Sequence, residues 1–176
     1  MKTSTELEQH AALQVASLMA AAARTAPKTR GIDNIKIIAI EDAPTKAVLS
    51  KKMRELAKSE KRPSFSRDAD CVDASSAVVV IGVESNPAGL NCGYCGHESC
   101  DQLAGSSGLC SFNLIDLGIA SSSAASVAAD SRVDTRLMFS AGRAALALGV
   151  FDTKVKTALG IPLSVTGKSP FFDRKS

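Results

Sequence analysis

The residues in this chain best suited to chemistry are its cysteines. There are five in 176 residues, and four fall in one stretch, Asn91-Cys92-Gly93-Tyr94-Cys95-Gly96-His97-Glu98-Ser99-Cys100, with Cys110 shortly after. The gaps between those four are two, four and nine residues. A cubane cluster needs four thiolates that converge on iron from different directions. A Cys-x-x-Cys pair wraps two sulfurs around one side. Gly93 and Gly96 permit tight turns whose amides are free to point at sulfur, and such hydrogen bonds help to set a cluster's potential. Cys92, Cys95, Cys100 and Cys110 are therefore the candidate ligands of one [4Fe–4S] cluster. Zinc is the rival, although structural zinc sites with four cysteines usually use two separated pairs and only one is present. His97 lies inside the loop and could replace a ligand, but a histidine so placed is more often exposed or bonded to backbone. Cys71 stands apart, ahead of a buried strand, and reads as an inert buried thiol rather than a fifth ligand or a catalytic group.

The elements that must position these cysteines can be read from periodicity and punctuation. Thr5 and Glu8 have capping-box spacing, with Thr3 and Glu6 as the alternative register. Leu7, Ala11, Val15, Leu18 and Ala22 then recur at helical spacing up to Pro27. After a turn at Gly31 to Asp33, the β-branched run Asn34 to Ile40 reads as a strand. Asp42 is a plausible cap for a second helix that starts at Pro44 and runs through Val48, Leu49, Met53 and Leu56. Ser59 to Asp70 reads as a polar loop. Ala77 to Val83 is a continuous apolar run, the pattern of a central strand buried on both faces, broken by Asn86, Pro87 and Gly89. Beyond the cysteines a long helix is expected from about Ser111 to Ala129, its start near the cluster and rich in small residues that let a neighbour approach. Arg136 to Phe139 is a short strand or a helix start. Ala141 to Leu148 is a helix stopped by Gly149, and Val155 to Ile161 a last strand. Strands alternate with helices, which predicts an α+β (α/β-like) fold with a single mixed sheet packed with helices. Residues 1–176 are expected to form a single domain with a cysteine-rich iron–sulfur segment, 90–111, inserted in it.

Composition narrows the function. A net charge of +3 with one Tyr and no Trp gives little support to nucleic-acid binding. The basic stretch Lys51, Lys52, Arg54, Lys58, Lys61, Arg62 and Arg67 is interrupted by Glu55 and Glu60 and reads as a solvated helix face with its following loop. No window approaches ~18 uninterrupted apolar residues, so no membrane segment is expected. Glu6 and Glu8 stand where a basic leader would be, which makes a cytoplasmic protein the default. In that compartment clustered cysteines point to metal or redox chemistry rather than disulfides.

Other patterns carry less. Gly167-Lys168-Ser169 lacks the first glycine of a phosphate-binding loop, Pro162 standing in its place, and Pro170 follows at once. Phe171 and Phe172 read as apolar anchors of a tail that folds over the domain or reaches a second subunit. Asp130, Arg132, Asp134 and Arg136 alternate in charge and read as a solvated ion-pair surface. Ser121 to Ser123 lack the glycines of a nucleophile elbow. His10 and His97 are the only histidines, so histidine acid–base catalysis is poorly supplied.

The run Cys92-Gly93-Tyr94-Cys95-Gly96-His97-Glu98-Ser99-Cys100 resembles the Cys-Gly-x-Cys-Gly-x-x-x-Cys signature of [4Fe–4S] domains in corrinoid iron–sulfur proteins and related electron-transfer subunits, where the fourth cysteine lies further downstream than Cys110. A wider resemblance rests on Ala22-Ala23-Arg24-Thr25-Ala26-Pro27, the cysteine segment, Asp116-Leu117-Gly118-Ile119-Ala120, Val133-Asp134-Thr135-Arg136, Gly160-Ile161-Pro162-Leu163-Ser164 and Gly167-Lys168-Ser169-Pro170-Phe171-Phe172-Asp173-Arg174. Together these look like the uncharacterised ferredoxin-domain proteins of bacteria and archaea. The layout of the Ala-rich helix ending in Ala-Pro, a strand, and a later Ala/Gly-rich helix is similar to flavin-dependent nitroreductases. That resemblance implies a nitroreductase-like fold, a possible homodimer, and FMN at a subunit interface. The Arg/Ser segment that grips the flavin phosphate in those enzymes is missing, and Arg24, Lys28 and Arg30 are the cations that could replace it.

Three functions follow as expectations. The first is a [4Fe–4S] protein acting in electron transfer with a redox protein partner. The second is a nitroreductase-like, FMN-dependent oxidoreductase with an auxiliary cluster. The third is a structural or sensory metal-binding module. Whether the chain is an enzyme stays open at this level, and neither nucleic acid nor membrane is expected as a partner.

Overall fold

The computed structural model describes residues 1–172, so Asp173 and Arg174 of the tail motif lie outside the described residues. Thr3 caps the first helix, α1 (Ser4–Thr25): its hydroxyl accepts the Glu6 amide at 3.3 Å while the Glu6 carboxylate accepts the Thr3 amide at 2.7 Å. The capping box thus uses the Thr3–Glu6 register. The buried stripe of α1 is Ala12, Val15, Ala16, Met19 and Ala23, whereas Leu7 and Leu18 are more than half exposed. Small residues face inward here because the helix packed against α1 is itself lined with alanines.

A single 3₁₀ turn, Thr29–Gly31, leads into β1 (Ile35–Ile40). Asp42 caps α2 (Ala43–Ser59), accepting the Thr45 amide at 2.8 Å. The expected polar loop is largely a helix, α3 (Ser64–Asp73). Its other polar residues form an outer face, while Phe65, Asp68, Ala69, Cys71 and Val72 are buried. The remaining elements are β2 (Ala77–Glu84), a short α4 (Cys100–Ala104), α5 (Ser111–Asp130), β3 (Asp134–Thr135), α6 (Phe139–Ala147) and β4 (Val155–Ser164).

The four strands form one sheet in the order β1-β2-β4-β3. The expected single sheet packed with helices is present, and all of its pairings are antiparallel rather than mixed. Between β1 and β2 the chain runs through the pair α2 and α3, which doubles back and returns it to the end of the sheet it left. β2 is central, as its apolar run requires. Val79, Ile81 and Val83 face a core shared with α1 and α5, and Val78 and Val80 face a second core shared with α2, α3 and α6. The molecule is therefore three layers, helices on both faces of the sheet. β4 runs three residues past its expected end, through Pro162. Gly160 exchanges both backbone bonds with Met138 (2.8 and 2.9 Å), so the proline nitrogen two residues on points to that same side, away from β2.

Two contacts set how closely the layers approach. A Cβ on Gly142 of α6 would lie 1.9 Å from the Ala158 carbonyl oxygen, and one on Gly160 would lie 2.5 Å from the Ala141 Cβ. On the other face Leu117, Ala120, Ala124 and Ala128 of α5 are buried with Ala16, Met19 and Ala23 of α1. No membrane-length helix was expected, yet α5 is long and apolar enough to cross a membrane by length and composition. Its inward face, which includes the buried polar residues Asn113, Asp116 and Ser121, packs on α1 and the sheet, while Leu114, Ile115 and Ile119 are exposed.

The basic stretch of α2 and α3 is more engaged than a solvated face. Arg54 bridges Asp70 and Asp73 at 2.6 and 2.7 Å, and the Arg62 guanidinium lies over the rings of Phe65 and Phe139. Arg136 likewise departs from the expected charge ladder. It donates to the Phe171 carbonyl at 3.1 Å, lies 3.9 Å from buried Asp68 and sits over the Phe172 ring. Of the two tail anchors Phe171 is buried, at 3 % exposure, and Phe172 lies on the surface.

Candidate metal centre

The cysteine segment is irregular backbone held at one end of the helical layer formed by α1 and α5. Its turns follow from its glycines. Gly93 and Gly96 adopt φ of 75° and 81°, with open space where a Cβ would be, so conformation and not crowding calls for glycine. The Gly96 amide closes the turn on the Gly93 carbonyl at 2.9 Å. Asn91, also left-handed at φ 47°, joins the ends of the loop. Its side-chain oxygen accepts the Cys100 amide at 2.8 Å, and its own amide donates to Cys100 Sγ at 3.4 Å.

All four candidate ligands line one open pocket, together with Ala88, Leu90, Asn91, Gly93, His97, Ser99, Leu103, Ser111 and Phe112. They come from different elements. Cys92 is exposed and Cys95 half-buried in the loop, Cys100 opens α4, and Cys110 is buried at the cap position of α5. The helix start expected after Cys110 is where it was read. Ala88, Leu103 and Cys110 form a small apolar floor on which Cys95 and Phe112 rest. All four thiols are free. Among the described residues no three His, Cys, Asp or Glu side chains are drawn together tightly enough to hold a single metal ion. His97 borders the pocket, with Nε2 3.4 Å from the Ser106 hydroxyl.

Cys71 is not among these residues. It lies on α3 in the opposite core, 6 % exposed, with Sγ 3.7 Å from the Pro170 carbonyl, and burial pushes its thiol pKa up. The donor set fits a cluster chemically: four thiols on one pocket, an amide directed at one of the sulfurs, and the first turn of a 20-residue helix in the wall.

The loop is fastened by polar residues that periodicity did not single out. Asn113 accepts the Asn86 amide at 3.0 Å, and Asn86 donates to the Asn34 side chain at 3.1 Å. Asp116, 2 % exposed, accepts the Thr29 amide at 3.0 and 3.2 Å and the Thr29 hydroxyl at 2.9 Å. Their signal in the sequence was a pair of polar residues on the inward face of an otherwise apolar helix. The three cations weighed as phosphate ligands are bonded within the protein: Arg24 to Asp33 and the Ile35 carbonyl, Lys28 to the Ala23 and Arg24 carbonyls, and Arg30 to the Ala88 carbonyl. Tyr94, 73 % exposed, stacks on Phe112 with ring centroids 5.8 Å apart at the pocket mouth.

The architecture is that of the nitroreductase fold. A nitroreductase with bound FMN from Desulfitobacterium hafniense superposes with a TM-score of 0.62 over 96 % of this chain and 80 % of its own, at 13 % identity. A BluB-like flavoprotein from Clostridium difficile does so with a TM-score of 0.58 over 93 % and 83 %, at 17 % identity. Residues 106–174 match the family described as "Uncharacterized protein containing a ferredoxin domain (DUF2148)". An uncharacterized protein of Archaeoglobus fulgidus is 42 % identical over 168 residues, covering 90 % of this chain and 89 % of that protein. The chain belongs to this ferredoxin-domain family.

Proposed function

We propose that the protein is a [4Fe–4S] electron-transfer protein or redox subunit, with Cys92, Cys95, Cys100 and Cys110 as the cluster's ligands and residues 90–111 as the segment that binds it. One observation carries this reading: four cysteines that span only 92 to 110 line a single pocket with a backbone amide directed at one sulfur. The family's description, which names a ferredoxin domain, supports it. When bound, such a cluster supplies one-electron chemistry at a potential set by its surroundings. The chain's own residues do the rest. Asn91 orients Cys100, the amides of the first turn of α5 offer partial positive charge beside Cys110, and the Leu103–Ala88 floor keeps water from the buried side. The exposed Tyr94–Phe112 stack offers an apolar contact for a redox protein partner next to the thiols.

The experiment is iron, sulfide, zinc and flavin analysis of the full chain purified without oxygen, with its absorption spectrum. About four irons and four sulfides per chain, with a broad band near ~400 nm bleached by dithionite, are expected. One zinc without sulfide overturns the reading and leaves a structural site. A second reading, an FMN-dependent oxidoreductase with an auxiliary cluster working as a homodimer, is favoured by the fold it shares with a structure that holds FMN. Stoichiometric FMN in the same preparation selects it. The engagement of Arg24, Lys28 and Arg30 with protein acceptors means that a flavin phosphate would need other partners.

A further inference from the structure

We propose that Arg30 is a positioning residue for the cysteine pocket, a strut that fixes the strand of loop entering Cys92 relative to the helix that carries Cys110, and that it brings the pocket wall its cation. The inference deepens the cluster reading given above and rests on it. Arg30 belongs to the 3₁₀ turn before β1, and its guanidinium donates to the Ala88 carbonyl, 58 residues away, at 2.9 Å. Ala88 is 8 % exposed and lines the pocket. The contact is flush against the backbone, since a Cβ on Gly89 would lie 2.9 Å from the Arg30 Nη1.

The turn that aims Arg30 is held in an unfavourable conformation. Arg30 has φ 57° and ψ 16°, the left-handed region that a Cβ disfavours. Such a residue persists only where its surroundings over-determine it. Here they do. The Gly31 and Ile32 amides close the turn on Lys28 and Thr29 at 2.9 and 3.1 Å, and buried Asp116 holds the Thr29 amide and hydroxyl. Asp116 lies on α5, the helix that Cys110 caps. The strut therefore runs from α5 through Asp116 and Thr29 to Arg30 and on to Ala88, so both ends bear on the same pocket. The Asn113–Asn86 bond fastens the loop to α5 a second time.

Charge gives this strut a second effect. From residue 85 to 131 the sequence contains no Lys or Arg, while Glu98, Asp101, Asp116 and Asp130 are present. The segment bearing the four thiols thus has no cation of its own, and Arg30 supplies one from elsewhere in the chain. Reduction adds an electron to a site rich in thiolate, and a nearby cation favours that step.

The test uses the full chain and three variants: Arg30→Gln, Arg30→Lys, and Lys51→Gln as a control that removes one charge from the distant α2. Hydrogen exchange across residues 88–95 is measured on metal-free protein, and the midpoint potential on anaerobically loaded protein. Arg30→Gln is expected to speed exchange in that segment several-fold. It should also lower the reduced-to-oxidised ratio at fixed ambient potential about threefold, or about 28 mV for one electron. Arg30→Lys, a point charge without the planar fork, should recover the potential better than the exchange. The control should change neither. The proposal is overturned if exchange in Arg30→Gln matches the wild type, if exchange rises while the potential stays fixed, or if Lys51→Gln shifts the potential equally. If the wild-type chain takes up no iron and sulfide the cluster reading fails by itself, whereas the exchange measurement still decides the strut.

Discussion

Replacing Asn91 separates the two things that residue does for the candidate site. Its backbone is left-handed at φ 47°, and its side chain accepts the Cys100 amide at 2.8 Å. Asn91→Ala loses the hydrogen bond, a net loss of about 1 kcal/mol. It also places a β-carbon residue with no local polar compensation in the left-handed region, which costs about 1 kcal/mol more. The sum, about 2 kcal/mol, corresponds to roughly 30-fold more frequent opening of the loop end at Cys100. Asn91→Gly loses the same bond but keeps the conformation without strain. Its expected cost is about 1 kcal/mol, or roughly fivefold. Exchange of the Leu103 amide in metal-free protein reads both, because it bonds the Ser99 carbonyl at 3.2 Å beside Cys100 and keeps that partner in either variant. Loss of iron to a chelator from loaded protein should follow the same order. Exchange within twofold of wild type in both variants would refute the reasoning, and a glycine variant that opens more than the alanine one would refute its conformational half.

Two further outcomes follow from the fold. Gly142→Ala should destabilise by about 3 kcal/mol or more, because the new methyl would lie 1.9 Å from the Ala158 carbonyl oxygen and 2.3 Å from its carbon, and backbone on both sides must part. Urea denaturation measures this, and a loss under 1 kcal/mol would mean that α6 rides off the sheet freely. Stability should also fall on acidification. The Thr3 amide holds Glu6 below its usual range and the Thr45 amide does the same for Asp42; for Asp33 burial pushes upward, but the bonds from Arg24 and the Ile35 amide outweigh it. Folded-state values below the unfolded ones mean that the unfolded chain takes up protons first. Their contribution is complete above about pH 5 and is lost as pH falls through the lower folded values. Circular dichroism should therefore be level from pH 7 to about 5 and decline below about 4. A transition centred above about pH 5 would point to another group.

The sequence by itself determined what is local. Proline and capping residues bounded α1 and α2 to within a residue or two, and the apolar run of β2 declared a strand covered on both faces. The spacing of the cysteines nominated the four thiols that line one pocket, because ligands within 19 positions of each other, 92 to 110, have little freedom to lie far apart. Other features needed the tertiary structure. α3 was hidden because its polar residues outnumber Phe65, Ala69 and Val72, which do recur at helical spacing, and only packing on α2 and α6 shows that this face is buried. The stripe of α1 shifted to its alanines because α5, not solvent exclusion alone, chose which face to bury. The antiparallel order of the sheet depended on how α2 and α3 fold back, which no short-range signal records. Arg30 is tied to Ala88, just ahead of the cysteines, and Asp116 to Thr29 in the turn that carries Arg30, by bonds spanning 58 and 87 residues. A turn residue in a left-handed conformation and a carboxylate on an apolar helix acquire their meaning only when the fold brings that turn and that helix together.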